Sequence, residues 1–232
     1  MDKLHLDQHI SRQFNDDLEA IKSEMLEMGG VVEKQLREAV TALEEADSEL
    51  AEHVLRVEDD VDQMERNIDE SCATLIARRQ PAATDLRMVL VVIKCIRDLE
   101  RIGDEAQKIA KMAIKLSVDE VPRGYVEIRH IADDVCSMLN DALDAFMRFD
   151  EAAALTTMGR DRRVDQDYSS ALRELITYMM EDPRNISRAL NIAWVLRSLE
   201  RIGDHAKNIC EHVVYLVKGK DIRHGHLDKI KP

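Results

Sequence analysis

Apolar residues recur at helical spacing from about Ile10 to Leu43: Phe14, Leu18, Ile21, Met25, Met28, Val32, Leu36, Val40 and Leu43. Gly29-Gly30 interrupts this stripe, and the pair predicts a bend or a close helix contact. Asp47 and Ser48 read as turn or cap residues. A second stripe carries Val54, Val57, Val61, Met64, Ile68, Cys72 and Leu75 and stops at Pro81. A third helix is expected from there to about Leu116. "SVDEVPRGY", with Pro122 and Gly124, is the clearest linker.

The order then repeats. A fourth helix is expected over about 126–149 and a fifth over about 151–180. "EDPRN" breaks the fifth at Pro183, and a sixth runs to about Val217. The pattern predicts an all-α chain of two tandem three-helix bundles, six helices in all, related by internal duplication. The expected repeats span 1–118 and 119–217, with a loosely ordered tail at 218–232.

Composition supports this reading. Of 232 residues, 45% are hydrophobic and only 3% aromatic, so the core must be built from Leu, Ile, Val, Met and Ala. No hairpin dipeptide separates alternating apolar runs. The net charge of −13 repels phosphate backbones, and no basic patch stands out in the sequence, so nucleic acid is an unexpected partner. The apolar run 88–93 is too short to cross a bilayer, and "MDKLHLDQHI" lacks a signal-peptide pattern. The four cysteines show no CxxC spacing and fit reduced core thiols of a cytoplasmic protein.

One repeat carries chemistry. "LERIGD" occurs from Leu99 and again from Leu199. Each copy places a Glu four residues before an Asp: Glu100 with Asp104, and Glu200 with Asp204. Positions i and i+4 lie nearly above one another on a helix, so each pair forms an acidic column beside the inward stripe. Gly103, between the acids of the first copy, has no side chain to keep a neighbour away. The preceding helix supplies a second column in each half, Glu58 with Asp62 and Asp161 with Asp165. Helices pack about 8–10 Å apart, which lets the two columns converge. Four converging carboxylates repel unless something cationic joins them, and divalent ions take oxygen ligands. The ordinary alternative is ion pairing with Arg97, Arg101, Arg197 and Arg201, each within a turn of these acids. Four matched columns favour metal over that reading. Asp59, Asp60 and Asp69 read as solvent-facing acids or as acids just outside the ligand set.

Histidine and nucleophile patterns add little. His205 follows Asp204, but its counterpart is Glu105. Neither GxSxG, P-loop nor GxGxxG is present. Carboxylate-bridged di-metal enzymes of the helical-bundle type use paired Glu-x-x-His motifs. Here Glu127 to His130 is the one such spacing and stands outside the acidic columns, so a regulatory adaptor is favoured over that enzyme class.

The doubled "LERIGD", together with "RRQPAATDLR", "ISRQFNDDLEAIKSEMLEMGG" and "VDQDYSSALRELITYMMEDPR", resembles the PhoU family across nearly the whole chain. The resemblance implies two three-helix bundles in pseudo-twofold arrangement. It implies no enzyme activity but negative regulation of the phosphate-starvation response, as an adaptor between the ATPase subunit of a phosphate ABC transporter and a sensor histidine kinase. It also implies a cytoplasmic homodimer that meets the inner membrane only through partners. Multinuclear sites for divalent metal (Fe, Mn, Zn or Mg) are implied at the Glu/Asp-x-x-x-Asp motifs. Carried onto this chain, the ligands are Glu58, Asp62, Glu100, Asp104, Asp161, Asp165, Glu200 and Asp204. Tyr168 stands at the place of Glu65, and Asn185 at that of Asp85, which predicts fewer or weaker metals in the second half.

Overall fold

The computed structural model describes residues 12–81, 83–117 and 126–220. The expected linker at 118–124 and most of the expected tail, with His224 and His226, lie outside the described residues, as does the side chain of Glu127. Six long helices follow in order: α1 (Arg12–Glu45), α2 (Ser48–Arg79), α3 (Ala83–Ser117), α4 (Val126–Arg148), α5 (Glu151–Glu181) and α6 (Ile186–Lys218). A short 3₁₀ turn, Pro183–Asn185, separates the last two. Among the described residues there is no strand, and no helix is long and apolar enough to cross a membrane.

The stripes read from the sequence face inward. Phe14, Leu18, Ile21, Met25, Met28, Val32 and Leu36 of α1 are buried, as are Val54, Val61, Ile68, Cys72 and Leu75 of α2. Val40, Leu43, Val57 and Met64 lie only at the fringe, and Ala39, Ala42 and Ala51 take the innermost places. Small side chains there let the helices approach more closely than the larger residues would. All four cysteines are free and buried, and burial pushes the Cys72 thiol up to about 12.

The duplication extends to the turns. Ala46 and Phe149 both take positive φ, and the following Asp47 and Asp150 each donate their backbone N–H back to a helical carbonyl, of Ala42 and Ala145, at 2.9 Å. Each Asp then caps the next helix by accepting from the backbone N–H three residues on, Leu50 in α2 and Ala153 in α5. This is a helix stop followed at once by an N-cap. α1 runs unbroken through Gly29-Gly30. A Cβ on Gly29 would lie 2.8 Å from Leu143 of α4, so the glycine permits a close contact between the two halves, while Gly30 faces open space.

α1, α2 and α3 form one bundle and α4, α5 and α6 the other, joined chiefly along α3 and α6. The apolar core is continuous across that seam. Asp98 of α3 is buried there and accepts hydrogen bonds from His205, Asn208 and His212 of α6 at 2.9–3.0 Å. Burial alone would raise this carboxyl, but the three hydrogen bonds outweigh it and hold it at about 2.

Candidate functional site

In the N-terminal half α2 and α3 bring Glu58, Asp62, Glu65, Glu100 and Asp104 to one groove. Glu58 is 5% exposed and faces α1, where Gln35 is 1% exposed. Gln35 Nε2 donates to Glu58 Oε2 at 2.7 Å. Glu58 Oε1 and Gln35 Oε1 are both buried without a hydrogen-bond partner. Gly103 of α3 makes this crowding possible: a Cβ there would stand 3.0 Å from Glu58 Oε2 and 3.1 Å from Gln35 Oε1. Each side chain therefore keeps one orphan acceptor oxygen in a low-dielectric corner beside Gly103, an arrangement that is expensive unless a proton or a cation arrives.

The electrostatics agree. Burial raises Glu58, and the neighbouring Asp104, Asp62 and Glu100 add to the shift beyond what the Gln35 hydrogen bond takes back, so its carboxyl is pushed up to about 7. Glu100 is raised by burial and by Asp104, Glu65 and Asp62, with Arg101 tempering the effect. These acids repel one another through the folded chain, and a cation among them would favour their charged forms against both burial and that repulsion.

The C-terminal half places its four acids in the matching groove but supplies its own cations. Asp161 is buried like Glu58, yet Lys207 of α6 donates to its Oδ2 at 2.5 Å. Arg197 donates to both oxygens of Glu200 at 2.7 Å. Burial and Asp161 raise Asp204, with Lys207 pulling against them. Asp165 is exposed and is raised by burial and by Asp161. A Cβ on Gly203 would meet the methyl groups of Val164 and Val135 at 3.4 and 3.5 Å rather than polar atoms. The ion-pair alternative thus applies to Glu200, whereas Arg201 turns to Glu105 at 3.2 Å.

None of the columns is drawn into a closed ligand shell. Among the described residues, the set of three potential ligand atoms that lie within 4.8 Å of one another is His130, Asp134 and Asp167. Arg163 already faces all three, at 2.7, 3.5 and 3.7 Å, and Arg160 also pairs with Asp134 at 3.5 Å. That set is an ion-pair cluster between α4 and α5. In the N-terminal groove Arg66 approaches Asp62 at 3.9 Å, and Glu58 has Gln35 rather than a cation as its hydrogen-bond partner.

Sequence reasoning missed Gln35 and Lys207. Gln35 had a signal, being a lone polar residue inside the α1 stripe between Val32 and Leu36. Lys207 had one too: it replaces Gln107 of the first repeat. Asp85, set against Asn185, lies buried in the first turn of α3, and Asn185 makes no side-chain cap bond at the start of α6.

The PhoU domain matches residues 25–113 and 128–213 of the chain, once in each half. The chain belongs to the PhoU family. It is 58% identical to the phosphate-specific transport system accessory protein PhoU homolog of Pseudomonas putida, over 99% of this chain and 90% of that protein. It is 46% identical to the Escherichia coli protein of that name, over 99% and 97%. The crystal structure of PhoU from Pseudomonas aeruginosa superposes with a TM-score of 0.87 at 59% identity, covering 90% of this chain and all of that one. The phosphate transport system regulatory protein PhoU from Streptococcus pneumoniae gives 0.84 at 31% identity, covering 90% and 99%. These relatives are named as accessory or regulatory proteins. For a divalent ion the N-terminal groove is the better fit, because its buried Glu58 Oε1 and Gln35 Oε1 are unsatisfied acceptors. The C-terminal groove would first have to release Lys207 and Arg197.

Proposed function

We propose that this chain is the accessory protein of a phosphate-specific transport system and a negative regulator of the phosphate-starvation response. It acts as an adaptor between the ATPase subunit of the phosphate ABC transporter and a sensor histidine kinase. It works as a homodimer in the cytoplasm and reaches the inner membrane through those partners. The strongest support is the doubled PhoU match with relatives of 46–58% identity that carry that name. The test is a deletion strain in phosphate-rich medium carrying a starvation-promoter reporter. Reporter expression should switch on and fall again when the gene is restored. Normal repression in the deletion would remove the assignment.

The metal part of the proposal rests on the paired orphan oxygens. Glu58, Asp62, Glu100 and Asp104 hold divalent metal in the N-terminal groove, with Gln35 Oε1 facing it. Asp161, Asp165, Glu200 and Asp204 take metal more weakly. Bound metal would supply positive charge that ties α2 to α3 and frees Glu58 from its need for a proton. The choice among Fe, Mn, Zn and Mg is decided by metal analysis of protein purified without chelator. If protein equilibrated with each ion and then desalted retains none, the metal reading is wrong.

A further inference from the structure

The two halves differ at a second matched place, on the seam. α3 and α6 run antiparallel, and the duplication gives each side of the seam the same set of positions. On one side Asp98 reaches across to His205, Asn208 and His212 and fills the space. On the other side Ser198 stands at the place of Asp98 and is too short to reach across. A cavity of about 390 Å³ opens there, walled by Trp194 and Met112. Lys108, Arg197 and Arg201 rim it, and buried Glu105 forms its floor, held by Lys108 at 3.0 Å and Arg201 at 3.2 Å.

Trp194 is 64% exposed, although it is the chain's one tryptophan. Leu190 and Ile186, one and two turns earlier on the same face of α6, are 49% and 42% exposed. Ile186, Leu190, Trp194, Arg197 and Arg201 fall within one stripe, by the 100° turn of the helix. That stripe is apolar at one end and carries two arginines at the other, Arg197 paired with Glu200 and Arg201 with Glu105. The charge around it also departs from the rest of the molecule. No acid occurs in α3 from Ala106 to Ser117, where Lys108, Lys111 and Lys115 are exposed, nor in α6 from Ile186 to Leu199. Glu105 and Glu200 border these segments and pair with Lys108, Arg201 and Arg197, but those three cations with Lys111 and Lys115 outnumber the two acids, a local basic excess in a chain of net charge −13. Its two segments lie some eighty positions apart in the sequence, and the arginines of α6 join the three lysines of α3 only when the halves pack.

We propose that this face of α6 and α3 is a docking site for an acidic amphipathic segment of a partner protein, which seats a bulky apolar side chain against Trp194. Charge complementarity selects an acidic partner. The cavity selects a side-chain anchor over a flat bilayer surface, and aromatic and Arg residues around a pocket are the usual anchors of such contacts. The stripe spans about 22 Å from Ile186 to Arg201, longer than a compact small molecule needs. The inference does not require the metal site, and it is read on purified protein rather than in a deletion strain.

The single tryptophan reports on the site directly. The full chain is titrated with a synthetic helical peptide of Glu and Leu, and with a counterpart in which Lys replaces Glu. The acidic peptide should shift Trp194 emission to the blue, saturably and less tightly at high salt, and the basic one should not. Leu190→Glu, an exposed change checked by circular dichroism, should weaken binding by roughly tenfold or more. If that variant loses its helix signal, discrimination between the two peptides by the wild type still decides. The proposal fails if the acidic peptide gives no shift or if both peptides act alike. It also fails if only phosphatidylglycerol vesicles or magnesium ATP produce the shift. Emission that follows protein concentration, with a dimer by light scattering that the peptide does not displace, would assign the face to a second copy and overturn it too.

Discussion

Glu58 and Asp161 occupy the same position in the two halves and are buried to nearly the same degree, 5% and 4% exposed. Their neighbours are different. Glu58 shares a corner with the amide of Gln35, and one oxygen of each is left without a donor. Asp161 is met by the ammonium of Lys207. Met138 stands where the first half has Gln35, and Gln107 stands where the second half has Lys207. The backbone tolerated both solutions because each keeps the same helix faces together. Duplication preserved the packing, and the two copies then diverged in how they compensate a buried carboxylate. An internal lysine makes one copy self-sufficient, and its absence leaves the other in need of a cation from outside.

Metal content offers the largest test of that difference. Glu58→Gln with Glu100→Gln should remove most of the bound metal and the melting-temperature gain it confers. A ligand at a thousand times its Kd stabilises by about 4 kcal/mol, so the loss should be plain in calorimetry with and without EDTA. Asp161→Asn with Glu200→Gln should keep most of the metal. Equal losses in the two doubles would erase the contrast between the halves.

The pH dependence of metal-free protein comes next. The folded state holds Glu58 at about 7 against an ordinary 4.5. Folded protein therefore binds more protons than unfolded protein between those values. The contribution is fully present below 4.5 and is lost as pH rises through about 7, with a ceiling of about 3 kcal/mol. Denaturant unfolding at pH 5 and 7.5 should show the wild type losing more stability than Glu58→Gln over that interval. Saturating metal should flatten the difference, since it replaces the proton. A wild type and variant with the same pH slope would mean that Glu58 is solvated in solution.

Lys207→Gln converts the second groove toward the first. Asp161 loses its cation, at a cost of about 1–3 kcal/mol for a buried charged group left without its partner. Added divalent metal should restore part of that stability and should do so more in the variant than in the wild type. A variant that is destabilised but indifferent to metal would show that Lys207 is a structural cation and that the groove has no capacity for another.

Most of the architecture was open to a reading of one sequence, because helix faces repeat locally. The stripes of α1 and α2, the stop at Pro183 and the doubled "LERIGD" all lie within short windows. The pairing of columns followed from the repeat itself. What could not be read was which side chain of a third helix faces them. Gln35 and Glu58 are 23 positions apart and Lys207 and Asp161 are 46 apart. No periodicity in either helix specifies the rotation of its neighbour. The same limit hid the basic face of α3 and α6, whose charges gather only when the halves pack. Arg197 pairing with Glu200 was the alternative ranked below metal, and Arg201 crossing to Glu105 lay outside either reading, since that partner comes from the other half.

The smallest effect belongs to the glycines inside the motif. Alanine is favoured over glycine in a helix interior by about 0.5–1 kcal/mol, so each substitution begins with the same gain. At Gly203 the new methyl would touch the methyl groups of Val164 and Val135 at 3.4–3.5 Å, close to ordinary contact. Gly203→Ala should therefore be neutral or stabilising, and it should leave metal binding as it was. At Gly103 the methyl would press on Glu58 Oε2 and Gln35 Oε1 at 3.0–3.1 Å. Those atoms are held by a 2.7 Å hydrogen bond between the two side chains, so the pair must shift by a few tenths of an ångström. The propensity gain is then offset by displacing the hydrogen-bonded Glu58–Gln35 pair. Gly103→Ala should be less stable than Gly203→Ala by about 1 kcal/mol in parallel thermal melts, and it should bind metal more weakly. The order of the two variants is the measurement. If Gly103→Ala proves as stable as Gly203→Ala and keeps full metal affinity, the glycine serves close packing in both halves alike, and the first groove has no tighter geometry than the second.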